Sequence, residues 1–174
     1  MRIFIALGTH PQQFNRLLKA LDRLVAGKRI KGKLFAQIGN SSYEPKNFPF
    51  TKFLKPKEYE REMKCADIII SHAGAGSIIT ALKYEKPLIV VPRLKRFNEH
   101  TDDHQIDLAR ALDERGKAIA VFDLCNLAQA IRKAKRFRPK TKSARAKLIK
   151  RIRTFLEGCT CERRGVKNGQ MRAL

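Results

Sequence analysis

A parallel α/β sheet with helices on both faces is the fold class this sequence predicts, and three observations predict it. Short apolar runs without strict alternation, at residues 2–7, 67–71 and 88–92, have the look of strands buried on both sides. Between them lie stretches whose apolar residues return every three to four positions, as amphipathic helices require. Strands and helices alternate along the chain, which argues for right-handed crossovers and for ligands bound beyond the C-terminal ends of the strands.

Taken in order, residues 2–7 form the first strand, ended by Gly8-Thr9-His10-Pro11. From Phe14 the spacing of Leu17, Leu18, Leu21, Leu24 and Val25 predicts a helix that Gly27 stops. Residues 33–38 read as a second strand and 50–54 as a short third one, with a helix over 57–65 after Pro56. The fourth strand, 67–71, runs into a glycine loop and a helix over about 77–84 that ends before Pro87. Residues 88–92 make a fifth strand, followed by a polar loop over 93–101. A helix over 102–115, a sixth strand over 118–122 and a short helix over 126–134 complete the domain, which is expected to span 1–137. Beyond it, Ala144, Leu148, Ile149, Ile152 and Phe155 with basic residues between them predict a basic amphipathic helix over 138–157. Residues 158–174 are expected to be disordered.

The chain of 174 residues suits one well-cored domain plus a tail, and its apolar fraction of 43% is ordinary for a globular protein. No run approaches the roughly eighteen apolar residues of a spanning helix. The N-terminal apolar run is too short for a signal peptide, so an intracellular protein with at most peripheral membrane contact is expected. The net charge is +22, and from residue 132 onward sixteen Lys or Arg face two Glu, which gives +14 of it. Such an end seeks polyanions: nucleic acid, an anionic membrane face or an acidic protein surface. Cys65 and Cys125 sit in apolar settings and are expected to be small buried residues. Cys159 and Cys161 have no second pair or nearby histidine, so no metal site is expected.

The stretch Ser71-His72-Ala73-Gly74-Ala75-Gly76-Ser77 carries the clearest chemistry. Its small residues let the backbone approach another group, and the following helix N-terminus favours an anion, usually phosphate. A tight turn that merely allows close packing would give the same local pattern. All four histidines, His10, His72, His100 and His104, fall in or just after loops that follow strands, which points to a polar site at that edge. They form neither a metal-binding pair nor a Ser-His-Asp order.

Ser71 to Ser77, then Lys86-Pro87-Leu88-Ile89-Val90-Val91-Pro92, then His104-Gln105 before Leu108-Ala109, resemble the C-terminal, donor-binding domain of MurG-like glycosyltransferases. The opening Gly8-Thr9-His10 with Gln12-Gln13-Phe14-Asn15-Arg16-Leu17 narrows the resemblance to the small soluble subunits of two-part enzymes. These are the catalytic subunit of the UDP-N-acetylglucosamine transferase of dolichol-linked glycan synthesis and the bacterial exopolysaccharide glucosyltransferase subunits. The resemblance covers about residues 1–130 and implies a Rossmann-like sheet, the C-terminal half of a GT-B fold. It further implies inverting, metal-independent transfer from a UDP-sugar, with no cofactor, to a lipid-linked or polysaccharide acceptor.

On that resemblance Gly74, Ala75, Gly76 and Ser77 cradle the diphosphate, while Gly8, Thr9 and His10 face the cleft. Backbone at Phe53 and Leu54 meets the base, and His104 with Gln105 bonds the sugar hydroxyls. Thr80 stands where many members carry a Glu that grips the ribose, which weakens the expected selection for uridine. His10 and His72 are the candidate catalytic residues, His72 as an extra donor to the leaving group. The general base is expected on another polypeptide, a membrane-anchored acceptor-binding subunit. That partner, together with the basic end, would hold the chain peripherally on the cytoplasmic face of an anionic membrane. A basic nucleic-acid-binding protein and a non-catalytic nucleotide-binding module are the rival readings. The first lacks the stacked aromatics of an RNA-binding sheet, so no specific nucleic acid is expected.

Overall fold

The computed structural model describes residues 1–140; from residue 141 on, the expected basic helix and tail lie outside the described residues. Six parallel strands form one sheet: β1 (Arg2–Ala6), β2 (Lys33–Gln37), β3 (Phe50–Thr51), β4 (Ile68–Ser71), β5 (Leu88–Val90) and β6 (Ile119–Ala120). Their order across the sheet is β3-β2-β1-β4-β5-β6. Five helices connect or follow them: α1 (Asn15–Ala26), α2 (Pro56–Cys65), α3 (Ala75–Lys83), α4 (His104–Glu114) and α5 (Leu127–Ala134). The compact unit runs from Met1 to Lys140, slightly past the boundary read from the sequence. Phe137 packs on the core and the Lys140 N–H donates to the Gly116 carbonyl at 2.9 Å.

Each central strand buries both of its faces, which is why its sequence reads as a continuous apolar run. Ile3, Ile5, Ile68, Ile70 and Ile89 point to one side and meet Leu17, Leu18 and Leu21 of α1 and Leu127, Ile131 and Ala134 of α5. Phe4, Ala6, Ile69, Leu88 and Val90 point to the other and meet Met63, Ile78, Ala81, Ala109 and Leu112. The two layers are built from alternate residues of the same strands, so a one-residue slip would exchange them.

Several boundaries differ from those read off the sequence. The third strand is only Phe50–Thr51, with the Pro49 carbonyl still bonded to β2 and the Lys52 carbonyl to Gly39 just beyond it, before the chain leaves the sheet edge to reach the helix that Pro56 starts. The glycine loop is shorter than its composition suggests: α3 already begins at Ala75, with Gly74 as its N-cap. Asp102 lies outside α4, and its carboxylate accepts the His104 N–H at 3.0 Å. Cys65 and Cys125 are exposed, not buried: Cys65 is the last residue of α2 and Cys125 lies within the 3-10 turn Leu124–Asn126, and both positions face the surface. Among the described residues no helix is long and apolar enough to cross a membrane.

Candidate functional site

The three central strands β1, β4 and β5 deliver three loops to one edge of the sheet, and the site is built where those loops meet. At its centre the His72 imidazole lies wedged between two glycines. A Cβ on Gly74 would sit 2.1 Å from His72 Nε2, and a Cβ on Gly8 would sit 2.6 Å from Cε1. Gly8 also has φ +73, a conformation L side chains rarely adopt. Both glycines are therefore required by the histidine between them.

His72 is buried and its Nδ1 lies 3.3 Å from the Ala6 carbonyl oxygen, which can only accept. The proton therefore resides on Nδ1 and Nε2 carries a lone pair. Burial, with Arg93 nearby, pulls the pKa down to about 4, against the Ala6 hydrogen bond. At neutral pH the ring is uncharged and offers Nε2 as an acceptor. The expected role of His72 as a donor to an anionic leaving group does not fit this tautomer, and the ring acts instead as the spacer that sets Gly74.

Gly74 starts α3 with no side-chain cap, and the helix closes with Ile78 N–H on the Gly74 carbonyl at 3.2 Å. The first-turn N–H groups of Ala75, Gly76 and Ser77 precede that bond, and the dipole end adds positive potential. A Cβ on Gly76 would meet nothing within 4 Å, so no contact inside the protein requires glycine there. Ser77 contributes backbone only, since its buried hydroxyl lies 3.0 Å from the Tyr59 hydroxyl. Thr80 donates its hydroxyl to the Gly76 carbonyl at 2.8 Å, so towards a ligand it can only accept.

The other expected site residues surround this centre. Thr9 and His10 follow Gly8, and Asn40 holds their carbonyls at 3.4 and 3.0 Å. His104 opens α4, exposed, while the Gln105 side-chain oxygen accepts the Arg93 N–H at 3.0 Å, which leaves its NH2 end for a ligand. Phe53, 50% exposed, and Leu54 stand after β3, three strand spacings or about 14 Å from β4. They belong to the same edge without touching the centre.

Sequence reasoning missed the group that joins the loops. Arg93, read as part of a polar loop, is 1% exposed. Its guanidinium donates to the carbonyls of Gln12 at 2.7 Å, Gln13 at 3.1 Å, Glu99 at 3.2 Å and Leu7 at 2.9 Å. Burial lowers its pKa to about 10, opposed by Glu99, so it stays charged at neutral pH. Glu99, fully buried, receives Arg16 in a two-point ion pair at 3.0 and 2.9 Å and the Leu94 N–H at 3.0 Å. This network clasps the loop after β1 to the loop after β5. The only signal in the sequence was an Arg directly after a buried strand. His100, noted only as one of four histidines, stacks on His10 with ring centroids 4.7 Å apart. Among the described residues no group of three or more His, Cys, Asp or Glu is arranged to hold a metal ion.

Comparison with known proteins gives this geometry a family. Residues 2–157 match the glycosyltransferase family 28 C-terminal domain. The human UDP-N-acetylglucosamine transferase subunit ALG13 is 32% identical over 123 residues, which is 66% of this chain and 10% of that protein. The chain thus spans about a tenth of the length of this curated relative. Among solved structures, the fold resembles an ALG13 solution structure with TM-score 0.52 at 18% identity, over 83% of this chain and 90% of that one. It also resembles Acinetobacter baumannii MurG with TM-score 0.54 at 20% identity, over 76% of this chain and 40% of that one.

Proposed function

The chain belongs to the glycosyltransferase family 28 C-terminal domain family, and from that premise we propose that it is the donor-binding catalytic subunit of a two-part inverting glycosyltransferase. The donor is a UDP-sugar and the acceptor a lipid-linked glycan or polysaccharide. The observation that carries this reading is the uncapped N-terminus of α3, held in place by the Gly8–His72–Gly74 wedge at the C-terminal edge of the sheet. Backbone N–H groups there, with the helix dipole, meet the diphosphate and the charge that grows on it as the C1–oxygen bond breaks. The base reaches outward to Phe53 and Leu54, and the sugar to His104 and the Gln105 amide.

Thr80 offers the ribose one acceptor where an acid would offer several, so discrimination among nucleosides rests on the base contacts. The acceptor hydroxyl attacks C1 from the opposite side and loses its proton to a base carried by a membrane-anchored partner subunit. The name of the human relative, a transferase subunit, supports a second component. The basic stretch beyond residue 137 gives the assembly its hold on an anionic membrane surface at the cytoplasmic face.

Titration calorimetry with UDP tests the donor site. The wild-type chain binds, and Gly76→Val abolishes binding while the protein stays folded, since a Cβ at that position meets no protein atom within 4 Å. Unchanged UDP affinity in that variant would remove α3 from the site.

A further inference from the structure

Strand order places β4 between β1 and β5, so the loops after β1 and β5 start about 10 Å apart. Yet His10 and His100, one from each loop, stack at 4.7 Å with only 20° between their planes. The pair therefore closes over the end of β4, where α3 begins. Both rings are held by the same local device. The Gln12 N–H donates to His10 Nδ1 at 3.4 Å, and the Asp102 N–H donates to His100 Nδ1 at 3.3 Å. With Nδ1 accepting, neutral His10 carries its proton on Nε2, the opposite tautomer to that of His72. His100 Nδ1 also faces the Asp102 carboxylate at 3.2 Å, so a protonated His100 gives up the Asp102 N–H, turns Nδ1–H to that carboxylate and keeps Nε2–H as the second donor. Both rings are only partly covered, and a ligand can reach them.

We infer that His10 and His100 form a two-donor clamp on the anionic oxygens of the bound diphosphate, and that His100 takes up a proton as the ligand arrives. The inference rests on the donor-site reading above. The charged and titratable groups around the pair assign the two roles. His100 Nδ1 has the Asp102 carboxylate oxygen 3.2 Å away, ready to receive an added proton. His10 has Arg93, His100 and His72 on its inner side, and burial first, then Arg93 and His100, hold its pKa below the usual value. His10 thus remains the neutral donor and stacks on the imidazolium that His100 becomes. A hydrogen bond with the Gln12 side chain and the Asp102 charge also bear on His10, both favouring its charged form less strongly than burial opposes it.

The probe is UDP-N-acetylglucosamine, whose phosphodiester oxygens do not titrate between pH 6 and 8. Because the bound state holds the extra proton, binding must tighten as pH falls. The dissociation constant should rise about tenfold from pH 6 to pH 8, and calorimetry in buffers of different ionisation enthalpy should count a proton taken up. His100→Asn should flatten that pH dependence. His10→Asn should weaken binding about tenfold or more while leaving the pH dependence in place. In the wild-type protein, the His100 Cε1–H resonance should titrate at higher pH with the probe than without it, a readout that needs no variant to fold. Binding that is flat with pH, or His10 and His100 titrations unmoved by the probe, would overturn the clamp and leave the donor site standing. No binding of the probe at any pH would overturn both.

Discussion

At the scale of single residues, the two glycines of the loop after β4 do different work, and substitution separates them. Gly74→Ala drives a Cβ into a buried imidazole that Gly8 blocks from the other side. We expect a loss of roughly 1–3 kcal/mol, as for overpacked cores, read as a lower midpoint in thermal or urea unfolding. Gly76→Ala meets open space in a helical turn and should gain up to about 1 kcal/mol. Equal stability of the two variants would refute the wedge. His104→Ala and Gln105→Ala should weaken a UDP-sugar more than UDP itself, each by about 0.5–1.5 kcal/mol in calorimetry. Equal losses for both ligands would make these residues structural.

At the scale of elements, the long connection between β2 and β3 is tied to α1 by one buried carboxylate. Asp22 accepts the Tyr43 hydroxyl at 2.6 Å, the Lys46 N–H at 3.1 Å and the Asn47 N–H at 2.9 Å. Burial alone would raise its pKa, but these hydrogen bonds together outweigh burial and lower it. A depressed carboxylate stabilises the fold above its unfolded pKa of about 3.9, and that stability is lost as pH falls through the folded value. Asp22→Asn should therefore cost about 2 kcal/mol at pH 7 and shrink the difference from wild type below about pH 4. A constant gap in denaturation midpoints between pH 7 and pH 3 would contradict this. Asp22 also shows where sequence reading stops. The helix period picked out Leu17, Leu18, Leu21, Leu24 and Val25, and gave no sign that Asp22 beside them is buried or what it binds. The apolar runs around Ile5, Ile70 and Ile89 made the sheet and both of its layers legible. In the segment after β5, by contrast, Arg93 and Glu99 look like any solvated charges. Their burial follows from partners such as Leu7 and Arg16, which are far away in sequence. The glycine loop was legible as a strand-to-helix turn, whereas the tautomer of His72 and the committed hydroxyls of Ser77 and Thr80 depend on neighbours that pattern alone does not supply.

At the scale of the whole molecule, the proposed two-part reading puts the donor site at one edge of the described domain and the acceptor site on another subunit. Transfer should then need both components: purified chain with a UDP-sugar and a lipid acceptor should be silent, and co-expression with a membrane-anchored partner should restore product. Robust turnover by the 174-residue chain alone would refute the two-part reading. The clasp at Arg93 has a consequence in time as well as in space. Its guanidinium holds the Leu7 carbonyl, 86 residues earlier in the chain. Contacts that distant form slowly, because a long loop must close before they are rewarded. The loop after β1 is synthesised well before β5, yet it cannot settle until the chain beyond β5 has been made and docked. On the proposed function, the donor surface is then complete only in the last phase of folding, and an interrupted or truncated chain would hold a formed sheet edge with no grip on nucleotide.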